Sequence, residues 1–360
     1  MCGVGMTTAM WIYNRLVQQS NGLKRRKDML RTAEAVSLGH PDKTADYISS
    51  YILDRCLDQD SSVRYGVEVM VKNQTVVLGG EISGKISFEF MEEHVRQAVR
   101  EIGYDARYAK IWGDEALNAD KVRVLDLISC QSAEIAQGVE RDGWGDQGVF
   151  VGYACQGKGN IPAELYLARR LCRALYEKAR LSDNLGLDIK TQITMDCGKI
   201  KTAVVAIPMK QQEELRPFVA EILGQEPEKL IINGTGCYTC HSSVADCGVT
   251  GRKLACDFYE TSSPIGGGSP WTKDASKADL TLNLYARRLA VENLKDNDEV
   301  WVYLSACIGR SELPSAVLKA RKGDKFTEQP LVAESRPSIL IERLGLNKPV
   351  FAKLCREGLL

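Results

Sequence analysis

The strongest constraint on the fold is a recurring theme, in which two strand-like runs are followed by an amphipathic helix. Residues 63–70 and 75–81 alternate or run in β-branched side chains, with Lys72-Asn73-Gln74 between them, which predicts a hairpin. A helix is expected over 88–102. A second hairpin is expected over 189–196 and 201–208, around Cys197-Gly198-Lys199-Ile200, with a helix over 211–223. A strand over 253–259, a helix over 280–293 and a strand over 299–306 make the third occurrence. Before and between these lie a helix over 42–58, strands over 121–130 and 149–154, and a helix over 163–180. In the first of these helices Ala45, Ile48, Ile52 and Cys56 recur at helical spacing after Pro41-Asp42, a start signal. No repeat is visible residue by residue. The expected fold is α+β, with three similar sheet-and-helix units. The corresponding segments are a leader over 1–32, an N-terminal unit over 33–134, a linking loop over 135–147, a central unit over 148–232 and a C-terminal unit over 233–360.

Composition narrows the function. Forty-seven basic side chains balance forty-seven acidic ones. A chain without net charge is poorly suited to capturing nucleic acid or an anionic membrane in bulk, but it leaves room for a local cationic pocket. The longest apolar runs, such as 203–207, fall far short of the ~20 residues of a membrane span. The first 27 residues hold no Asp or Glu, and their charges follow the apolar part. That order does not fit a secretory signal; a transit-like leader and a simple extension both stay open. Met1-Cys2-Gly3 echoes an N-terminal glutamine amidotransferase nucleophile, on too few residues to build on. The 12 cysteines are then expected to be reduced and mostly buried. Cys237-Tyr238-Thr239-Cys240-His241 has the spacing of a haem attachment site, and with Cys247 it could make a zinc cluster. Ordinary packing in a strand and its loop is the third reading.

Four loops carry residues that packing alone does not call for. Gly39-His40-Pro41-Asp42-Lys43 opens a helix, whose N-terminus attracts phosphate; there His40 could donate to an oxygen and Asp42 could hold Mg²⁺ or merely start the helix. Gly143 to Gly148, after the polar stretch 131–139, reads as a lid or a surface loop. Arg252 and Lys253 follow Thr250-Gly251 at a predicted strand start, where neighbours point to opposite faces, so the two could serve different sites. Gly266-Gly267-Gly268, with Lys273, Lys277, Asp274 and Asp279 behind it, could be a polyphosphate cradle or a turn.

Taken in order, these segments resemble the S-adenosylmethionine synthetase (methionine adenosyltransferase) family from about residue 32 to 350. The shared motifs are GHPDK (39–43), GGE (79–81), QSAEIAQGV (131–139), GDQG (145–148), DIKTQ (188–192), DCGVTGRK (246–253) and GGG with KDxSKxD (266–279). The resemblance implies three α+β units in a pseudo-threefold arrangement. It implies that L-methionine and ATP are joined, the sulfur attacking C5′ in line and the tripolyphosphate then being hydrolysed. Position by position, it implies catalytic roles for His40, Lys190, Arg252, Lys253, Lys273 and Lys277. ATP contacts fall on His40, Lys190, Arg252, Lys253 and Lys273 and on Asp188, Tyr238, Asp246 and Ser269. Methionine contacts fall on Glu81, Gln131, Asp146, Asp246 and Lys277. Mg²⁺, two per site, falls to Asp42 and Asp279, and K⁺ to Glu68. A cytoplasmic homodimer or tetramer with interfacial active sites is implied, with neither nucleic acid nor membrane as partner. Residues 131–142 match the family's gating loop. The sequence departs from the family where an Arg-Phe pair is replaced by Cys237-Tyr238, where a His before the triple glycine is Ile265, and where Asn-Pro-Thr-Gly reads Asn233-Gly234-Thr235-Gly236. Most departures lie on the adenosine side, so the resemblance implies a divergent but active enzyme, with a regulatory or nucleotide-binding subunit as the alternative.

Overall fold

A computed structural model describes residues 30–87, 89–130 and 142–358. β1 (Arg31–Val36) leads into α1 (Pro41–Gln59) and then into the hairpin β2 (Arg64–Lys72) and β3 (Thr75–Ser83); α2 (Met91–Ile102), α3 (Ala106–Trp112) and β4 (Arg123–Ser129) follow. The middle of the chain forms β5 (Gly148–Cys155), α4 (Ala163–Arg180), the hairpin β6 (Lys190–Asp196) and β7 (Lys199–Ala206), α5 (Arg216–Leu223) and β8 (Lys229–Ile232). The last third forms β9 (Gly248–Val249), α6 (Ala278–Glu292), the hairpin β10 (Glu299–Ala306) and β11 (Ser315–Lys322), β12 (Lys325–Pro330), α7 (Pro337–Leu344) and α8 (Phe351–Glu357).

The strands make three four-stranded sheets, ordered β4-β3-β2-β9, β1-β6-β7-β8 and β12-β11-β10-β5. Each is built on a hairpin. In each, the first hairpin strand takes an antiparallel neighbour from elsewhere in the chain: β9 beside β2, β1 beside β6, β5 beside β10. The second hairpin strand takes a strand from later in its own unit: β4, β8 or β12. The borrowing is cyclic. The first unit gives β1 to the second sheet, the second gives β5 to the third, and the third gives β9 to the first. The long helix after each donated strand covers its home sheet, α1 on β2, α4 on β6 and α6 on β10. Every connection from a donated strand to a home helix therefore crosses from one unit to another, and two of the three, 37–40 and 250–277, carry the motif residues.

Several expectations need correction. Sheet composition does not follow the contiguous segments, because a strand leaves each of them. Arg31 and Thr32, assigned to the leader, pair with Met195 and Thr194. The strand expected over 253–259 is a single helical turn, Leu254–Asp257: the spacing of Leu254, Cys256 and Phe258 imitates a strand, but 256–259 are all buried, which one strand face cannot achieve. The helix expected from 211 begins at Arg216, because Pro217 suits only a first turn. β11 and β12 were not foreseen. The leader over 1–29 and the 131–141 stretch, with Gln131, lie outside the described residues. Among the described residues no helix is long and apolar enough to cross a membrane.

The core spans the first two sheets and their helices, with a second cluster under the third. α1 lies almost wholly inside the protein, so its polar side chains need partners. Ser49 donates to the Val67 carbonyl at 2.7 Å, and Asp54 caps α8 by accepting from the Phe351 and Ala352 N–H groups, both at 2.9 Å. Lys43 is held between Asp257, at 2.9 and 3.0 Å, and Asp46 at 3.2 Å, and its ammonium lies 4.5 Å from the Trp271 ring centroid. Trp271 Nε1 donates to the same Asp257 at 2.9 Å, and Gly251 N–H donates to Asp46 at 2.8 Å. Burial pushes Asp46 up to about 7 against the pull of Lys43, while Asp257 keeps Lys43 cationic despite its burial.

Removing one partner of such a buried cluster leaves uncompensated charge, at a cost of about 3–5 kcal/mol. Lys43→Met, which keeps most of the stem, is expected to lose about that much stability in urea unfolding. A loss below about 1 kcal/mol would remove Lys43 from its structural role.

Candidate active site

The first cluster is built on the opening turn of α1. His40 caps the helix: its Nδ1 accepts the Asp42 N–H at 3.2 Å, and Pro41 fits the first helical position. With Nδ1 an acceptor, the imidazole proton sits on Nε2. Burial, reinforced by Lys190 and Lys253, brings His40 down to about 3, so it is neutral at physiological pH. Asp42 accepts from the Val249 N–H at 2.9 Å and from Lys253 Nζ at 2.6 Å, with Arg252 Nε at 3.6 Å. Burial acts to raise its pKa, but the Lys253 and Val249 hydrogen bonds outweigh it and hold it below the usual range. Adjacent cations thus reach one carboxylate. The expectation that Arg252 and Lys253 face opposite ways fails because they lie in a turn, not a strand. β9 can press against this turn because Gly248 has no side chain: a Cβ there would stand 2.1 Å from the Pro41 carbonyl oxygen.

Other parts of the fold bring further predicted residues to the same place. β1–β6 pairing sets Lys190 opposite Val36, four residues before His40. Asp188 accepts the Ser242 N–H at 3.0 Å, and burial pushes it up to about 6. Tyr238 is half-buried, and burial and the nearby Asp188 raise its phenol above the ordinary range. Asp246 is exposed and close enough to act on both His40 and Asp188.

The second cluster forms where α6 begins. Lys273 Nζ pairs with buried Asp279, Lys277 precedes the first residue of the helix, and Asp146 lies close by, placed by a hydrogen bond from Gly145 N–H to the Ser276 carbonyl at 3.2 Å. Burial, helped by Asp146, raises Asp279 above the ordinary carboxylate range, against the pull of Lys273 and Lys277. The triple glycine does not stand free as a cradle. Gly268, at φ +82°, packs so tightly that a Cβ would fall 2.1 Å from Asp279 Oδ1, so the loop braces the carboxylate. Ser269 abuts Gly251, and its Oγ accepts from Trp271 N–H at 3.3 Å.

One strand carries both clusters. Along the side of β2 away from β3, beyond its short pairing with β9, Val69 O accepts from Thr250 N–H at 3.0 Å, Val67 N–H donates to Thr272 O at 2.9 Å, and Tyr65 O accepts from Asp274 N–H at 3.0 Å. Glu68, on the same strand, accepts from Thr250 Oγ1 and, at 3.0 Å, from Thr272 Oγ1. Glu81 stands on β3 opposite Gly66, on the outer face of the sheet. Sequence reasoning missed Asp46, Asp257, Thr250 and Thr272, which position the charged groups; Thr250 and Thr272 could have been flagged by their place inside the motifs over 246–253 and 266–279, whereas Asp46 and Asp257 lie outside every motif. Cys237, where a family arginine is expected, is exposed with Sγ 3.2 Å from Gln212 Oε1.

The zinc reading of 237–247 fails. His241 is buried, with Nδ1 2.5 Å from the Thr239 carbonyl and Nε2 2.5 Å from the Tyr108 hydroxyl, so both ring nitrogens are already used. The expectation of mostly buried thiols holds only in part: Cys130, Cys197, Cys237 and Cys240 are exposed.

Three family models match in chain order: S-adenosylmethionine synthetase N-terminal domain over 28–133, central domain over 141–236 and C-terminal domain over 240–360. The S-adenosylmethionine synthase of Paramagnetospirillum magneticum is 31% identical, over 92% of this chain and 92% of its own. This chain belongs to the S-adenosylmethionine synthetase family. The Helicobacter hepaticus S-adenosylmethionine synthase is 33% identical over 92% of this chain and 93% of its own. Among solved structures, an S-adenosylmethionine synthetase of Campylobacter jejuni, described as unusual, matches with a TM-score of 0.81 and 31% identity, covering 92% of this chain and 94% of that one. Membership accounts for the three-unit fold and for the ordered motifs.

For this family member, His40 and His241, the latter brought down to about 4 by burial, are expected to stay neutral across the window of about pH 5 to 8 in which imidazoles usually titrate. Histidine NMR tests this, and a His40 resonance moving with a midpoint near 6 would contradict the site electrostatics.

Proposed function

We propose that the chain synthesises S-adenosylmethionine from L-methionine and ATP. The observation that carries the reading is the convergence of Arg252, Lys253 and Lys190 on the helix opening that bears a neutral His40. In the reaction the methionine sulfur forms a bond to C5′. The C5′–O bond breaks, and its electron pair leaves with tripolyphosphate, which is then hydrolysed to phosphate and pyrophosphate. The neutral thioether needs no base, so the barrier lies in the departing charge. Fixed cations stabilise charge as it develops. His40, with its proton on Nε2, serves as a neutral donor toward the leaving oxygen. Lys273 and Lys277 extend the cationic surface along the polyphosphate, Tyr238 offers a ring for adenine, and Asp188, Asp246 and Ser269 complete the nucleotide contacts. Glu81, Gln131, Asp146, Asp246 and Lys277 are assigned to methionine.

Asp42 and Asp279 suit Mg²⁺: each is a buried hard-oxygen donor that carries a lysine ammonium, so each stands where a cation is already accommodated. Bound there, Mg²⁺ would neutralise polyphosphate charge. Glu68, ringed by the Thr250 and Thr272 hydroxyls, offers the oxygen-only surroundings that fit K⁺. Cys56, Cys155, Cys172, Cys256 and Cys355 are buried thiols outside any disulfide, which suits a cytoplasmic setting.

Incubation with ATP, methionine, Mg²⁺ and K⁺ is expected to yield S-adenosylmethionine, phosphate and pyrophosphate. ATP turnover independent of methionine would overturn the reading. Lys273→Ala is expected to lower kcat by about 10²–10³-fold, with KM changing much less; an unchanged kcat would remove Lys273 from the reaction.

We further propose a homodimer across the outer face of the β4-β3-β2 sheet. Rows Met70–Val77–Leu125 and Glu68–Gly79–Leu127 lie side by side there, and Met70, Leu125 and Leu127 are 41%, 50% and 59% exposed, a patch that marks an interface. Support also comes from charge: the groups that shift His40 and Asp42 all lie in the first cluster, and those that shift Asp279 all lie in the second. Two copies facing each other would let each cluster complete a site with the partner's other cluster. Leu127→Glu is expected to give a monomer in sedimentation and to lose synthesis with it; an active monomer would refute the shared site.

A further inference from the structure

Behind the active site, Glu34 of β1, Cys256 of the 254–257 turn and Glu260 of the following 3-10 turn, Glu260–Ser262, converge. One ligand atom from each lies within 4.8 Å of the other two. We propose that these three side chains bind a divalent transition metal, zinc foremost, at a site separate from the magnesium and potassium positions.

Four observations support it. Cys256 is 6% exposed, with its sulfur 3.5 Å from Glu34 Oε1, so the thiol is a core group held among carboxylates rather than a surface cysteine. The Glu260 carboxyl group is hydrogen-bonded to the Cys256 thiol and to the Glu34 backbone, but its Oε1 is buried with no hydrogen-bond partner among the described residues, a costly state for a carboxylate oxygen that a ligand would relieve. Access exists: Cys256 lines a cavity of about 310 Å³ between β1, α4 and α8, together with Arg169, Cys172 and Cys355. The backbone is braced as well. Arg169 Nη2 donates to the Cys256 carbonyl at 2.6 Å and to the Phe258 carbonyl at 3.0 Å, and its Nε to the former at 3.2 Å.

The chemistry follows from donor type. Asp42, Asp279 and Glu68 offer oxygen alone, which suits hard cations. A thiolate with two carboxylates selects a softer, borderline ion, and zinc accepts sulfur and carboxylate oxygen alike. Binding exchanges the thiol proton for the metal and releases that proton to solvent. A thiolate, two carboxylates and a dication sum to one negative charge, which the Arg169 guanidinium offsets. Three protein ligands leave a fourth tetrahedral position for water. Occupancy would also fix the turn that carries Asp257, the residue that holds Lys43 and Trp271.

The test is optical and independent of catalysis. Metal-stripped protein is titrated with Co²⁺. The expected result is a near-ultraviolet sulfur-to-cobalt charge-transfer band saturating at one metal per chain, displaced by Zn²⁺ and not by Mg²⁺. The band should persist when Cys237, Cys240 and Cys247 are changed to Ser, and vanish in Cys256→Ser. Glu260→Gln, which keeps the side-chain shape, should weaken Co²⁺ binding at least ~10-fold. Absence of the band, its dependence on the 237–247 cysteines, its survival in Cys256→Ser, or unchanged affinity in Glu260→Gln would each overturn the proposal.

Discussion

The site hangs on the buried ammonium of Lys43. It draws Asp257 and Asp46 together, and through them the 250–257 segment is tied to α1: Asp46 takes the Gly251 N–H, and Asp257 takes Trp271 as well as Lys43. With that segment fixed, Arg252 and Lys253 have one place to go, the carboxylate of Asp42. A surface ion pair would not hold a loop in this way, because exposed pairs contribute little. Buried, the same charges either find one another or cost several kcal/mol, so the arrangement specifies geometry more than it adds stability.

The chemistry then depends on what stays fixed before substrate arrives. His40 is kept neutral by burial and by the cations around it, so it adds no charge of its own to theirs. Asp42 and Asp279 keep lysines in check until something more negative competes. Free cations of like sign packed together would repel; the two carboxylates let them be stored close to one another, at the edge of one strand, without that cost.

Local pattern made much of this legible. The three long helices and the first two hairpins follow from spacing, because helix periodicity and turn chemistry are short-range properties, and motif order points to the charged residues that the fold gathers into two clusters. The failures are long-range or misleading locally. Leu254, Cys256 and Phe258 alternate like a strand, yet Asp257 between them is needed by Lys43, and tertiary demand wins. β12 is exposed along its whole length and so shows no apolar alternation to read. Nothing in residues 31–36 tells that their partner is 190–196. The neutral state of His40 is likewise a product of burial and of two lysines distant in sequence.

The cyclic lending of strands bears on how this chain can be made and changed. β1 emerges from the ribosome long before β6 exists to receive it, and the edge of β2 waits for residues 248–249. No unit can close its sheet while the chain is still short, so folding cannot proceed as three finished pieces joined at the end. Pairings of such sequence separation are slow to form and, once formed, lock every unit to both others. A substitution that loosens one sheet is therefore felt by all three. Gene-level reshuffling of a single unit would break two sheets at once, so the three-part body is inherited whole.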